Sequence, residues 1–155
     1  MTTEPTLAED EARLARIAAD LEAGLDAALP GWLRQTSKTL CPTVEPEALE
    51  NAIAETMAEF SPRLSAVLHA DVDAGAGNPL AVVRSSTARV TALLQAAGAR
   101  PAARDEFDAR AFPDDVFGFG PSAFADIDAS LHEVGLVWGA ARAHVHLRRR
   151  REQST

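Results

Sequence analysis

Apolar residues recur along this chain at steps of three and four, the spacing that gathers side chains on one face of an α-helix. Leu7, Leu14, Ile17, Leu21, Leu25 and Leu29 form the first stripe, while Glu11, Arg13, Asp20, Glu22 and Asp26 fall mostly elsewhere. Thr6 and Glu9 have capping-box spacing, in which hydroxyl and carboxylate satisfy backbone donors at a helix start. The pair predicts where this helix begins, and Pro30-Gly31 predicts its end. Residues 32–46 hold two further prolines, Pro42 and Pro46, and no sustained period, so they read as a connector with Trp32 anchoring it to the core.

A second stripe runs through Leu49, Ile53, Met57, Phe60, Leu64, Val67 and Leu68 and keeps its phase across Ser61-Pro62. Proline removes one intrahelical hydrogen bond without moving the apolar face, so a kink or brief restart is expected there. Residues 71–78 are turn chemistry, and Asn78-Pro79 pairs a capping side chain with proline at the first helical position. The third helix follows, with Leu80, Val83, Val90, Leu93 and Leu94 on its face and Gly98 placed for a left-handed cap.

Residues 100–120 are rich in Pro, Gly, Asp and Arg, yet they hold Phe107, Phe112, Phe117 and Phe119, four of the chain's six phenylalanines. Disordered linkers do not concentrate aromatics, so an ordered crossover folding its rings over the bundle is expected. The last helix is predicted to start near Ser122 or Asp128, with Phe124, Ile127, Leu131, Val134, Trp138, Ala141 and Val145 in phase, and to run into Arg148 to Arg151. No stretch alternates with period two long enough to make a sheet, and no segment repeats. The expected fold is therefore all-α: one domain over residues 1–155, a bundle of four to five helices with a long aromatic-rich crossover before the last.

Charge adds an asymmetry to this picture. The whole chain carries −8, but residues 142–155 hold five arginines and one glutamate, leaving −12 on residues 1–141. A body of that sign repels a phosphate backbone, which argues against general nucleic-acid binding. The basic end, residues 148–155, is expected to be a mobile tail. Cys41 is the single cysteine and has no partner for an intramolecular disulfide. The segment Met1 to Asp10 lacks a basic region followed by an apolar one, and the apolar run Val134 to Ala141 is far short of the ~20 residues that span a bilayer. No membrane association and a cytoplasmic location are expected. Thirty-two alanines and fourteen arginines against one lysine match the codon bias of a GC-rich bacterial genome, so their abundance is not read as function.

Catalytic and metal chemistry finds little support. His144 and His146 would point roughly 200° apart on one helix, and His132 and His146 would lie roughly 21 Å apart along it, which excludes a metal site on that helix alone. Neither His132 nor His144 has a glutamate three residues earlier, as the carboxylate-bridged metal bundles do. Asp71 and Asp73 open like a calcium loop, but Ala76 stands where its glycine belongs and Val82 where its glutamate belongs. Gly75 to Leu80 resembles an anion-binding turn without a preceding strand, and Pro79 removes one of the donating amides. No nucleophile elbow is present. No metal, cofactor or catalytic residue is expected.

Two features stand out from this background. Gly135-x-x-x-Gly139-x-x-x-Ala143 is a stripe of small residues that admits another helix closely, either in the same chain or in a second copy. Arg148, Arg149, Arg150 and Arg151 exceed what a helix dipole needs and, beside an acidic body, are expected to meet carboxylates of the same assembly.

Segments Arg104 to Phe107, Ala111 to Val116, Ser130 to Glu133 and Trp138 to His144 resemble the C-terminal part of uncharacterised small helical proteins of actinobacteria. The resemblance covers roughly a third of the chain, implies a bacterial cytosolic protein and carries no activity with it.

The sequence thus favours a non-enzymatic protein-interaction module, binding a protein partner or itself as a homodimer, through Gly135, Gly139 and Arg148 to Arg151. The alternative is a small-molecule or metal-binding domain with a pocket under the Phe107–Phe124 crossover, lined by Phe112, Phe117, His132, Glu133 and Trp138.

Overall fold

The computed structural model describes residues 3–74, 77–100 and 120–154. Five helices are present among them: α1 (Leu7–Leu40), α2 (Pro46–Leu68), α3 (Pro79–Ala96), α4 (Phe124–Ile127) and α5 (Leu131–Gln153), and no strand. Phe107, Phe112, Phe117 and Phe119, and with them the expected aromatic crossover, lie outside the described residues.

Helix α1 starts as its capping box dictates, with Glu9 N donating to Thr6 Oγ1 at 3.1 Å and Thr6 N donating to Glu9 Oε2 at 2.7 Å. It does not stop at Pro30-Gly31, and the expected connector from Trp32 is helical as far as Leu40. An internal proline costs a helix about 3 kcal/mol. Here Leu33, Ser37 and Cys41 continue the buried row of Ala18, Leu21, Leu25 and Leu29, and each buried leucine returns about 1.5–3 kcal/mol. Tertiary burial outweighs the proline. The stop falls instead at Cys41, whose φ of −127° and ψ of 77° lie outside the α region, which the following Pro42 disfavours for the residue before it.

Helix α2 passes through Pro62 without interruption and buries Leu49, Ala52, Ile53, Thr56, Phe60, Leu64 and Leu68. Helix α3 opens with Leu80 N donating to Asn78 Oδ1 at 2.9 Å and closes in a Schellman motif. There Ala99 N donates to Leu94 O at 2.9 Å and Gly98 N to Gln95 O at 3.0 Å, with Gly98 at φ +91°, where a side chain would be strained.

The last apolar period is split in two. Asp128 is extended and its carboxylate accepts from both Ser130 N (2.9 Å) and Ser130 Oγ (2.8 Å), a local arrangement that competes with helical bonding. Helix α4 therefore ends at Ile127 and α5 begins at Leu131. Residues 148–153, expected as a mobile basic tail, are the last turns of α5.

Helix α1 packs against both α2 and α5, and α2 packs against α3. Cross-links between Arg34 and Glu50, Asp26 and Ser61, and Glu22 and His69 run in opposite order along α1 and α2, so the two are antiparallel. Helix α5 is also antiparallel to α1, since Leu131 lies against Gly24 and Arg148 against Asp10. Leucines of α1 and α2 and valines of α3 form one core, closed at the α5 end by Leu131.

Candidate functional site

Helix α5 has two sides of opposite character. Its inner side carries Leu131, Gly135 and Val145, all buried, and half-buried Val134, Trp138 and Ala141. At the position of a Gly135 side chain lies the ring of Phe124, so this glycine admits an aromatic ring from helix α4 of the same chain. A second close approach lies at Gly24, where Leu131 Cδ2 sits 2.6 Å from where a Cβ would be. Trp138 is half-buried and its indole Nε1 is buried without a hydrogen-bond partner, while Arg142 stacks 5.6 Å from the ring centre.

The C-terminal half of α5 is held by charge. Arg148 Nη1 donates to Asp10 Oδ2 at 2.7 Å, and His144 Nε2 sits 3.0 Å from the same oxygen. Arg149 reaches Glu11 (3.1 Å), Asp71 (2.5 Å) and Asp73 (3.3 Å), and His146 Nδ1 lies 2.8 Å from Asp73. Arg142 donates to the carbonyls of Ala70 and Asp71, both at 3.1 Å, just beyond the end of α2. The basic run thus finds carboxylates within its own chain, on α1 and on the turn after α2.

These contacts set the ionisation of the acids. The hydrogen bond from Arg148 holds the Asp10 carboxyl below the usual carboxylate range, against the opposing pull of burial and with help from His144. Arg149 does the same for Asp71, assisted by the backbone N–H of Asp73. Arg148 and Arg149 are correspondingly raised, first by their hydrogen bonds to Asp10 and Asp71.

The outer side of α5 is exposed along its length. Leu136 and Leu147 are 63% and 58% exposed, the large hydrophobic residues most open to solvent among those described. Gly139, Ala140 and Ala143 lie between them, all exposed, and a side chain at Gly139 would meet nothing within 4 Å. At about 100° per residue, Leu136, Ala140, Ala143 and Leu147 fall within an arc of about 60°. His132, Glu133, Arg150 and Arg151 flank this stripe at its two ends, all exposed.

Of the residues expected to line a pocket, the three described ones do not share a side of α5. His132 and Glu133 lie on the outer side, Trp138 on the inner side, and Phe112 and Phe117 outside the described residues. Gly135 and Gly139 likewise part company, one under Phe124 and one in open space. Arg148 and Arg149 belong to the ion-pair cluster, whereas Arg150 and Arg151 are exposed. Sequence reasoning passed over Leu136 and Leu147. The signal was present as steps of four, three and four through Leu136, Ala140, Ala143 and Leu147, out of phase with the core period.

Other openings offer less. A cleft of about 300 Å³ between α2 and α3 has the unpartnered hydroxyl of Thr56 in its lining, but Arg89 on its rim is already paired with Glu55 and Glu59. Among the described residues no group of His, Cys, Asp and Glu is arranged to hold a metal ion, and no helix is long and apolar enough to cross a membrane. No protein-family model, curated protein or solved structure matches the chain.

Proposed function

We propose that this is a non-enzymatic protein-interaction module of the bacterial cytoplasm, and that the outer side of α5 is its binding surface. The observation that carries the reading is the pair of exposed leucines, Leu136 and Leu147, joined by Gly139, Ala140 and Ala143 on one helix face. Contiguous exposed apolar surface with a polar rim marks a contact site, and small residues between large ones allow a partner backbone close approach. The inner side supports the same reading: ion pairs and buried residues fix α5 in place, so the surface is presented on a rigid element. A bacterial source rests on the Ala- and Arg-rich composition and the actinobacterial resemblance, and a reducing compartment on the lone, buried Cys41. The ligand-pocket reading keeps one observation, the unpartnered Trp138 indole N–H, but His132 and Glu133 lie on the opposite side of the helix.

The test is photo-crosslinking in cells with a photoreactive residue in place of Arg150, at the end of the stripe, and in place of exposed Asn51 on α2 as control. A protein adduct at position 150 that disappears in the Leu136→Glu/Leu147→Glu variant supports the reading. Adducts at neither position, or equally at both, would overturn it.

A further inference from the structure

We infer that the occupant of the outer α5 face is a second copy of this chain, docked antiparallel about a two-fold axis that crosses this face midway, along the helix, between the levels of Ala141 and Arg142. This rests on the reading of α5 as the binding surface and goes further by naming the partner.

The face is its own complement when reversed. Leu136 and Leu147 lie equally far from the midpoint between Ala141 and Arg142, and so do Ala140 and Ala143. A two-fold axis there sets each Leu136 against Leu147 of the second copy and brings alanine against alanine at the centre, where the helices come closest. A C2 contact requires such self-complementarity, residue i meeting j while j meets i. The two leucines are about 16 Å apart along the axis and about 20° apart around it, so they line up on one seam.

Charge selects the direction. Glu133 and Arg151 lie on the same flank of the seam and within one residue of equal distance from its centre, so antiparallel docking brings each Glu133 to Arg151 of the second copy. Parallel docking would instead set Arg150 and Arg151 against their own copies, and like charges in register disfavour it. The contact would be one helix wide on each side, so weak association that depends on concentration is expected.

The experiment uses the full chain, carrying either Leu136→Cys or Leu147→Cys, in a thiol–disulfide buffer, with wild type as the blank for buried Cys41 and Asn51→Cys as the control for random collision. Mixing the two leucine variants is expected to give a mixed disulfide dimer well above the Asn51→Cys background, while either variant alone gives only background. Wild-type protein in sedimentation equilibrium is expected to shift from one chain towards two as concentration rises from ~10 μM to ~1 mM, with Leu147→Glu weakening association at least tenfold. Glu133→Arg and Arg151→Glu are each expected to weaken it and, combined, to restore it, which a folding defect would not do. A disulfide in Leu136→Cys alone overturns the antiparallel register. A constant single-chain mass overturns the second copy as occupant. If the adduct at position 150 is then a different protein, the binding-surface reading stands without this one. If no adduct forms either, both fall.

Discussion

Arg148 and Asp10 stand 138 positions apart in sequence and 2.7 Å apart in space, on a carboxylate only 8% exposed. This contact joins the last turns of α5 to the first turn of α1, and His144 shares the same carboxylate oxygen. Arg148→Ala is expected to loosen the C-terminal half of α5, raising amide exchange over residues 142–153 on the order of tenfold, with α2 and α3 unchanged. Hydrogen-exchange mass spectrometry checks it.

Acid should release the same end of the helix. Asp10 and Asp71 are depressed below ordinary carboxylates, first by Arg148 and Arg149 respectively. A carboxyl lowered on folding contributes stability that is fully present above its unfolded value of about 3.9 and is lost as pH falls through the lower folded value. Urea midpoints measured downward from neutral pH are expected to hold until about pH 5 and then fall. The Asp10→Asn/Asp71→Asn variant should start less stable at neutral pH and show a shallower acid decline.

The two glycines of α5 should respond in opposite ways. A methyl at Gly135 meets the Phe124 ring and forces α4 to shift, so Gly135→Ala is expected to destabilise by about 1–2 kcal/mol. Gly139 faces open space in mid-helix, so Gly139→Ala is expected to stabilise the monomer by up to about 1 kcal/mol. Chemical denaturation of dilute protein separates the two signs.

Pro30 sits inside an unbroken α1, held there by the burial of Leu33 and Cys41 beyond it. Pro30→Ala is therefore expected to raise stability by about 1–3 kcal/mol, the part of the proline penalty the helix still bears. A fall in the denaturation midpoint would show that the proline is needed where it stands.

What was legible in the sequence was local. The Thr6/Glu9 capping box, the Asn78-Pro79 start and the Gly98 cap each follow from residues within a few positions, and each is present with its hydrogen bonds. The continuation of α1 past Pro30 was not legible, because it depends on burial of residues further along the helix. The break at Asp128 was half legible. Asp128 was one of the two starts expected for the last helix, but the apolar period stays in phase from Phe124 across it, so the separate short helix α4 was not. The Asp128–Ser130 hydrogen bonds mark the break. At the site, the arginine run was readable as a seeker of carboxylates, but its partners on α1 and after α2 required the fold. Leu136 and Leu147 were hidden among the apolar positions of a helix whose other face was already accounted for by the core.

The outer face of α5 is most directly tested by methyl NMR of the leucines, compared between dilute buffer and the cell interior. Leu136 and Leu147 methyl signals are expected to shift or broaden in cells, while those of buried Leu21 and Leu25 keep their positions and differ only by overall tumbling. Identical shifts for Leu136 and Leu147 in both settings, with no broadening beyond that of the core leucines, would contradict the assignment of this face to partner binding.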